Sequence, residues 1–309
     1  MLLQVFLADS ATILFPSMKL YKQRYYHLTD IPTVDVRGLL IGPNKPVRLM
    51  SVINLSPESF YQGSIAEDAD NFQEMMKNSS ELGADIIDIG AASTAPKQVY
   101  GTSEISTADE IERVTQAMES IDVSKYPPVS IDTISSKVAE IALEHGAAMI
   151  NDVSGMQSDS KMASLVAEYE VPVVLMANCK PPCESVKASI DSLKKSLRIA
   201  EDVGIQKDKI ILDPGIGFGK PPEVDFEILS VLKQYTKLKH PLLVGVSRKA
   251  FIGHILDLPN PDDRLTGSLI ATAFAVVNGA CVIRTHDVVE TKTAIRMGEV
   301  IREKRLELV

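Results

Sequence analysis

The chain has no tryptophan, only three cysteines and no long apolar run. A membrane-spanning helix needs about 20 consecutive apolar residues, so the sequence predicts no membrane partner. The cysteines are Cys179, Cys183 and Cys281, and their odd number makes a disulfide framework unexpected. We interpret Cys179 and Cys183 as incidental thiols of a proline-rich loop, since no second cysteine pair or nearby histidine completes a zinc site. A chain without disulfides is typical of a reducing compartment, here the cytoplasm.

Basic residues are outnumbered, with 32 Lys and Arg against 41 Asp and Glu and a net charge of −9. Affinity for nucleic acid depends on neutralising phosphates, so this balance argues against a nucleic-acid partner. It leaves room for a local basic pocket that binds a small anion. The 309 residues, 45% of them hydrophobic, suffice for one large α/β domain or for two ordinary domains.

Short apolar runs alternate with amphipathic segments along the chain. Eight runs rich in Val, Ile and Leu are typical of parallel strands covered on both faces. They are Arg48–Ile53, Asp85–Ile89, Val129–Asp132, Ala147–Asp152, Pro172–Met176, Lys209–Asp213, Pro241–Val246 and Cys281–Thr285. Eight strand–helix units predict an α/β fold, the (β/α)₈ TIM barrel, for which about 250 residues is typical. A doubly wound open sheet fits less well, because no glycine-rich dinucleotide turn follows the first strand.

A short N-terminal part precedes these units. We assign residues 1–33 to an arm and residues 34–309 to a single domain. The apolar stretch Met1–Phe15 has no basic start and contains an acidic residue, unlike a signal peptide. Val34–Ile41, turned by Gly42-Pro43-Asn44-Lys45, predicts a hairpin that plugs the bottom of the barrel.

Polar residues follow the predicted strands at their carboxyl ends, where barrel enzymes carry their active sites. They are Asn54, Asp88, Asp132, Asn151, Asp152, Asp213, the triplet Ser247-Arg248-Lys249, and Arg284, His286 and Asp287. Asp152 and Asp287 could equally well cap the helices that follow them. The convergence of the whole set on one barrel mouth predicts a ligand site.

The residue types in this set indicate the chemistry of the ligand. Four of them are basic in an acidic protein and favour a phosphate or diphosphate: Arg248, Lys249, Arg284 and His286. Asp132, Asn151 and Asp213 could read a flat heterocycle with several N–H donors. Asn54 beside a diphosphate could help to hold Mg²⁺, which prefers a few protein oxygens together with substrate phosphate oxygens. The glycine-rich stretch Asp213–Lys220 lacks P-loop spacing and predicts a tight turn that brings backbone close to a ligand.

Seven motifs occur in order along the chain. They are Asn54-Leu-Ser-Pro-Glu-Ser-Phe60, Gly83-Ala-Asp-Ile-Ile-Asp-Ile-Gly90 with Ser93-Thr94, Ser130-Ile-Asp132-Thr133, Ile150-Asn151-Asp152, Asp213-Pro-Gly-Ile-Gly-Phe-Gly219-Lys220, Ser247-Arg248-Lys249 with Phe251-Ile-Gly253, and Arg284-Thr-His286-Asp287-Val288. In this order and wording they resemble the motifs of the dihydropteroate synthases. The resemblance extends over nearly the whole chain, from about Val34 to Arg302.

The resemblance implies an enzyme that joins 6-hydroxymethyl-7,8-dihydropterin diphosphate to an arylamine and releases pyrophosphate, with Mg²⁺ as its cofactor. It implies that the pterin is held by Asp132, Asn151, Asp213 and Lys249. It places Asn54, Arg284 and His286 at the diphosphate and its Mg²⁺, and Ser247 and Arg248 towards the arylamine. Thr94 of the second loop would also bind substrate. The candidate catalytic residues are then Asp132, Asp213 and Lys249.

The second loop departs from the family pattern. Relatives carry an Arg where this chain has Ala95. That difference, with the wording of the motif at Asn54, resembles the archaeal branch, whose methanopterin synthesis uses a ribofuranosylaminobenzene phosphate instead of 4-aminobenzoate. Because Arg pairs carboxylates bidentately, its loss predicts that the ribosylated amine is used with the higher kcat/KM. Its more distant phosphate could meet Arg248, Lys97 or Lys220.

A different class of function uses the same barrel. Pterin-dependent methyltransferases bind a reduced methyl-pterin and deliver the methyl group to a corrinoid protein, and the acceptor residues would suit either reaction. A methyltransferase needs no diphosphate clamp, so Arg284 and His286 favour the synthase. The last predicted helix, Val288–Lys304, could form the face of a homodimer, as in relatives.

Overall fold

The structure is a computed structural model that describes residues 30–56, 61–66, 68–90 and 105–307. Most of the predicted N-terminal arm and the second loop, with Thr94, Ala95 and Lys97, lie outside the described residues.

Eight parallel strands close into a barrel, so the predicted (β/α)₈ TIM barrel is confirmed. A hairpin of β1 (Val34–Val36) and β2 (Leu39–Ile41) precedes it. The barrel strands are β3 (Arg48–Asn54), β4 (Ile86–Gly90), β5 (Val129–Asp132), β6 (Met149–Asp152), β7 (Val173–Met176), β8 (Ile210–Asp213), β9 (Leu242–Gly245) and β10 (Ala280–Thr285). Each strand pairs with its neighbours in sequence, and β10 pairs with β3 to close the ring.

Helices lie between the barrel strands along the chain. Their bounds are α1 (Ala69–Glu81), α2 (Thr107–Glu119), α3 (Ser136–Glu144), α4 (Met162–Tyr169), α5 (Val186–Asp202), α6 (Pro222–Ser230), α7 (Ala250–Leu256), α8 (Leu265–Val277) and α9 (Val288–Glu307). Helix α7 escapes sequence analysis because its seven residues make only about two turns, too few for a periodic signal. Within the described ranges, no helix is long and apolar enough to cross a membrane.

The hairpin closes the bottom of the barrel, as predicted. Val34, Val36 and Ile41 are fully buried and belong to the same apolar core as residues inside the barrel. The position of its turn was predicted wrongly. The chain reverses at Arg37 and Gly38, whose φ angles of 51° and 86° suit a two-residue hairpin turn, and Gly42 begins a separate turn that leads into β3.

Side chains along the barrel strands alternate between two apolar cores, because successive strand residues point to opposite faces. The inner core fills the barrel and includes Met50, Ile86, Met149, Ile211 and Val282. The outer core lies between strands and helices. This alternation decides which polar residues at the strand ends reach the barrel mouth.

Asp152 points to the outer side, because it lies two residues beyond Ile150 of the outer core. Its two carboxylate oxygens accept hydrogen bonds from the backbone N–H groups of Ser154 and Met156, each at 2.7 Å. Burial raises the pKa of this fully enclosed carboxyl group. Asp152 therefore orders the loop after β6 and does not contribute to the barrel mouth.

Cys179 and Cys183 form a disulfide, which contradicts the prediction of incidental thiols. Their Cα atoms are 5.0 Å apart, within the range that a disulfide requires. The odd cysteine count had made a disulfide unexpected, yet it requires only that one thiol stay unpaired, and that thiol is the buried Cys281. The bond closes a tight loop between β7 and α5, beside the barrel mouth.

Candidate active site

Four alternate strands, β4, β6, β8 and β10, each place a polar side chain inside the barrel near the carboxyl end. Each side chain lies two positions after a member of the inner core. We call Asp88, Asn151, Asp213 and Arg284 the polar layer. Alternate strands of a TIM barrel contribute the members of one interior layer, which explains why these four meet. The layer is enclosed: the exposed fraction is 0% for Asp88, 2% for Asn151 and 7% for Asp213.

Arg284 is held by two carboxylates. Its Nε donates to Asp88 Oδ2 at 2.6 Å, and its Nη2 donates to Asp132 Oδ2 at 2.8 Å. Burial alone would lower the pKa of Arg284, but the charges of Asp88 and Asp132 outweigh burial and raise it. The guanidinium is therefore charged and fixed in one plane. The structure brings Arg284, predicted at the diphosphate, into direct contact with Asp132, predicted at the pterin.

Asp213 and Lys249 form the opposite side of the site. Asp213 Oδ1 accepts from the Gly215 N–H at 2.7 Å. Burial raises the pKa of its carboxyl group, although the charge of Lys249 opposes that shift. Lys249 Nζ donates to the Ile216 carbonyl and lies 4.6 Å from the ring centroid of Phe218. Burial lowers the pKa of Lys249 to about 8, although Asp213 opposes that shift.

The glycine-rich loop after β8 is a tight turn, but it packs against protein. A Cβ on Gly217, which has φ +78°, would lie 2.4 Å from Lys249 Cδ. A Cβ on Gly215 would lie 2.5 Å from the Ala177 carbonyl oxygen. Lys220 is 6% exposed, and its ammonium group donates to the carbonyls of Ala177 and Gly215. The predicted tight turn is confirmed. The space that Gly217 and Gly215 leave open is occupied by Lys249 and by the Ala177 carbonyl.

Arg248 is engaged by the fold. Its guanidinium pairs with both oxygens of Asp287 at 2.6 to 3.1 Å and donates to the carbonyls of Pro261 and Asp262. The guanidinium carbon lies 4.7 Å from the ring centroid of Tyr61. These contacts brace the loop after β9. They also assign Asp287 to an ion pair, which the cap hypothesis did not anticipate.

His286 is partly buried next to Ser247. Its Nδ1 lies 3.0 Å from Ser247 Oγ, and its ring centroid lies 5.0 Å from that of Tyr61. Burial, followed by the charges of Arg284 and Arg248, lowers the pKa of His286 to about 3. Without a bound anion the imidazole is therefore neutral at physiological pH, and it can donate a hydrogen bond to an anion.

Asn54 ends β3 with its side chain fixed. Its Nδ2 donates to Ser64 Oγ at 2.7 Å, and Ser64 donates in turn to the Tyr61 carbonyl at 2.8 Å. Its Oδ1 is the oxygen that a metal ion could use. In the part of the chain that the structure describes, no group of three or more His, Cys, Asp or Glu could hold a metal ion.

The predicted concentration of positive charge is largely neutralised within the protein. Arg248 pairs with Asp287, Arg284 pairs with two carboxylates, and His286 is neutral. Lys249 faces Asp213. Four basic residues in sequence thus do not produce a net positive pocket, because the fold places an acidic partner beside each charged one.

Asp88 was predicted only as one of the polar strand-end residues, with no role of its own, although this carboxylate connects two members of the polar layer. It accepts from Arg284 and, at 3.0 Å, from the Asn151 amide. Its spacing from Ile86, which lies on the inner face of the same strand, is the signal that could have placed its side chain inside the barrel. Thr94 lies outside the described residues, and the other predicted site residues lie at the carboxyl ends of the strands or in the loops that follow them.

Residues 50–286 match the family of pterin-binding enzymes. The chain belongs to that family. The dihydropteroate synthase of Clostridium beijerinckii is 39% identical over 259 residues, which cover 82% of this chain and 93% of the relative. The solved dihydropteroate synthase of Clostridium difficile, in the presence of pteroic acid, is 36% identical with a TM-score of 0.75, covering 83% of this chain and 97% of its own. The Xanthomonas albilineans enzyme with 4-aminobenzoic acid is 31% identical with a TM-score of 0.77, covering 88% and 98%. The resemblance to the dihydropteroate synthases is confirmed.

The lowered pKa of Lys249 in this pterin-binding enzyme predicts a pH-dependent stability. Below pH 8 both folded and unfolded states hold the proton, and the folded state bears the cost of a buried charge. Between pH 8 and the ordinary value of 10.5 the unfolded state binds more protons, so stability rises with pH. We expect the unfolding free energy of wild type, minus that of Lys249→Met, to increase by about 2 kcal/mol from pH 7 to pH 10. Denaturant unfolding measures it, and a flat difference would contradict the shift.

Proposed function

We propose that this chain acts as a dihydropteroate synthase, which condenses 6-hydroxymethyl-7,8-dihydropterin diphosphate with an arylamine and releases pyrophosphate. One observation carries the proposal. Acceptor groups of Asp132, Asn151 and Asp213 converge with Lys249 and Arg284 at the mouth of the barrel, in a chain whose relatives bear that name.

The acceptor groups suit the pterin ring. The amide nitrogen of Asn151 is already used by Asp88, so its Oδ1 remains as an acceptor. With the carboxylates of Asp132 and Asp213, this gives three acceptors for a heterocycle edge that carries several N–H donors. Lys249 adds a donor for a ring oxygen or nitrogen. An analogue without those N–H groups would leave buried acceptors unpaired, which is costly.

The anion side consists of Arg284 and His286. Arg284 uses Nε and Nη2 for its carboxylate partners, and its Nη1 has no hydrogen-bond partner among the described residues. The Ser247 hydroxyl lies 3.0 Å from His286 Nδ1 and 3.3 Å from Asp287 Oδ2, and when its one hydrogen goes to Nδ1 the hydrogen of His286 is on Nε2. Both side chains can then donate to oxygens of the leaving diphosphate.

Mg²⁺ fits this anion side as a partner of the substrate. Asn54 Oδ1 would supply one protein oxygen, and the diphosphate would supply others, which is the arrangement that Mg²⁺ commonly adopts. Arg248 and Arg284 are already paired with carboxylates, so they do not offset the negative charge of a bound diphosphate alone. This unbalanced charge supports a Mg²⁺ ion bound together with the diphosphate. When bound, the ion would supply charge neutralisation to the departing group.

The chain's own residues contribute orientation and electrostatics. The reaction breaks the bond between the pterin methylene carbon and the diphosphate oxygen and forms a bond from that carbon to the amine nitrogen, which releases one proton to the departing pyrophosphate or to water. Asp132 and Asp213 stabilise positive charge that develops on the pterin side, while Arg284 and His286 stabilise negative charge on the leaving oxygen. Holding the ring in the polar layer fixes the carbon for attack, which replaces a bimolecular encounter with a positioned one.

The methyltransferase alternative is not favoured. The relative and the two solved structures reported above are synthases, and the two structures were determined with pteroic acid and with 4-aminobenzoic acid.

The identity of the amine is a narrower proposal. We infer an archaeal-type amine, the ribosylated aminobenzene phosphate, from the loss of an Arg at Ala95. Arg248 and Lys220 no longer support this proposal, because both are engaged within the fold. Lys97 remains the candidate partner for the distant phosphate.

The function is tested by supplying the pterin diphosphate with Mg²⁺ and each amine in turn and measuring pyrophosphate release. We expect turnover, with a higher kcat/KM for the ribosylated amine; a tenfold preference for 4-aminobenzoate would overturn only the narrower proposal. Asp213→Asn should lower kcat/KM by about tenfold to a hundredfold, because a buried charge-assisted contact is lost. The control Asp208→Asn changes an exposed carboxylate before β8 and should leave the rate unchanged.

The role of Mg²⁺ is tested without turnover. We expect pyrophosphate to bind at least about tenfold more tightly with Mg²⁺ than without it, since the cation offsets charge that the protein leaves unbalanced. Isothermal calorimetry gives both dissociation constants. Asn54→Ala should remove most of the gain, and equal affinity with and without Mg²⁺ would contradict the proposed site.

We also propose a homodimer and a cytoplasmic location. Large apolar side chains are exposed on the adjacent helices α8 and α9, including Ile270 at 68%, Phe274 at 44% and Met297 at 55%. Exposed apolar patches of this kind favour association with a second copy. The Cys179–Cys183 disulfide contradicts the disulfide-free chain from which the location was inferred, and the free thiol of Cys281 is the remaining observation that suits a reducing compartment.

The dimer makes a simple prediction. Sedimentation velocity should show a dimer for wild type, and Phe274→Glu should shift it towards monomer because a charge would be buried at the interface. Val203→Glu, at an exposed apolar position after α5, is the matched control and should remain dimeric. A monomeric wild type at micromolar concentration would overturn the proposal.

A further inference from the structure

We propose that Asp88 is a positioning residue that fixes the two halves of the ligand site, the pterin-reading amide of Asn151 and the anion-binding guanidinium of Arg284. The inference rests on the proposed function and assigns a role to a side chain that cannot touch the substrate. Asp88 is completely buried in the polar layer, so it acts through its neighbours.

A single carboxylate oxygen makes both connections. Asp88 Oδ2 accepts from Arg284 Nε at 2.6 Å and from Asn151 Nδ2 at 3.0 Å. Strand β4 lies two strands from β10 on one side and two strands from β6 on the other. The carboxylate therefore ties together side chains at the two ends of a five-strand arc, which backbone pairing between neighbouring strands does not do.

The first consequence concerns the orientation of the Asn151 amide. An amide group presents a donor on one side and an acceptor on the other, and the two differ little in shape. Because Asp88 accepts only from the nitrogen, the Asn151 oxygen is held in the orientation that remains for a ligand. A reversed amide would present N–H groups to the N–H donors of a pterin. Asp88 therefore decides whether the Asn151 side chain offers the pterin an acceptor or a donor.

The second consequence concerns the plane of the Arg284 guanidinium. Asp88 and Asp132 hold two of its three nitrogens, which leaves Nη1 in a fixed direction. Loss of Asp88 would leave Asp132 as the carboxylate partner, and the guanidinium could then turn about that contact. The pterin side and the anion side would therefore weaken together.

A costly feature of the same side chain supports a functional reason for its presence. Asp88 Oδ1 is buried without a hydrogen-bond partner among the described residues. An unsatisfied buried acceptor lowers stability, and such groups in native proteins call for an explanation. The need to hold both Arg284 and Asn151 through Oδ2 supplies one.

The test compares two isosteric substitutions of buried aspartates. Asp152→Asn is the matched control, because Asp152 is equally buried and also accepts two hydrogen bonds but faces away from the barrel interior. Calorimetry with 6-hydroxymethylpterin and, separately, with pyrophosphate and Mg²⁺ measures each half of the site. We expect Asp88→Asn to weaken both ligands by about tenfold, the loss of charge assistance. Asp152→Asn should change both by less than about twofold, with thermal unfolding showing that the variants are folded.

A polarity swap provides the rescue. Asn151→Asp alone sets two carboxylates about 3 Å apart and should weaken binding of 6-hydroxymethylpterin strongly. Adding Asp88→Asn restores a donor and an acceptor in reversed order, so pterin affinity should recover at least about fivefold over the single variant. Pyrophosphate affinity should not recover, because the amide nitrogen that now stands in place of Oδ2 faces Arg284 Nε, donor against donor, and Arg284 lacks a charged partner at position 88. A merely structural role for Asp88 would not produce a rescue that is selective for one ligand.

The outcomes separate this inference from the proposed function. Unchanged affinity in Asp88→Asn, equal losses in Asp88→Asn and Asp152→Asn, or a loss confined to one ligand would overturn the positioning role alone. The absence of rescue in the double variant would do the same. Wild-type protein that binds neither 6-hydroxymethylpterin nor Mg²⁺-pyrophosphate would overturn the proposed function and this inference with it.

Discussion

The site depends on the pairing of opposite charges inside an enclosed barrel. Arg284 enters the interior from the last strand, where an unpaired guanidinium would be very unfavourable, and Asp88 and Asp132 compensate it. The pairing works in both directions, since neither carboxylate would be tolerated there alone. Removing one member of a buried pair typically costs about 3–5 kcal/mol, because the remaining charge stays buried. The arrangement thus favours a single geometry, in which donors and acceptors are fixed before a ligand arrives.

The surrounding loops use the remaining charges for support. Arg248 holds the loop after β9 through Asp287, and Lys220 holds the loop after β8 through two carbonyl oxygens. Behind that loop, Tyr235 donates to Ser189, which donates to the Pro214 carbonyl. Basic residues near a barrel mouth are therefore divided between recognition and scaffolding. This division is the physical basis for assigning charge neutralisation of the diphosphate partly to Mg²⁺.

Much of the architecture could be predicted because its signals are local. A near-continuous apolar run such as Val173–Met176 is typical of a parallel strand covered on both sides, and eight such runs leave few folds. Helix α7 and the turn at Arg37 were not predicted. The helix is too short to show a periodic pattern, and the turn depends on positive φ angles that no strong turn motif marks. The disulfide escaped because two sulfurs meet only when the loop brings their Cα atoms together.

The sequence alone determined the barrel, the family and the residues that gather at its mouth, because strand periodicity and ordered motifs are properties of the linear chain. Only the tertiary structure decided which of those residues remain available for a ligand. The choice of Asp287 as the partner of Arg248, and of Asp88 as the partner of Arg284, joins positions 39 and 196 residues apart. The first pairing arises because β10 lies beside β9, and the second arises when the barrel closes and β10 lies beside β3, so no local pattern encodes them.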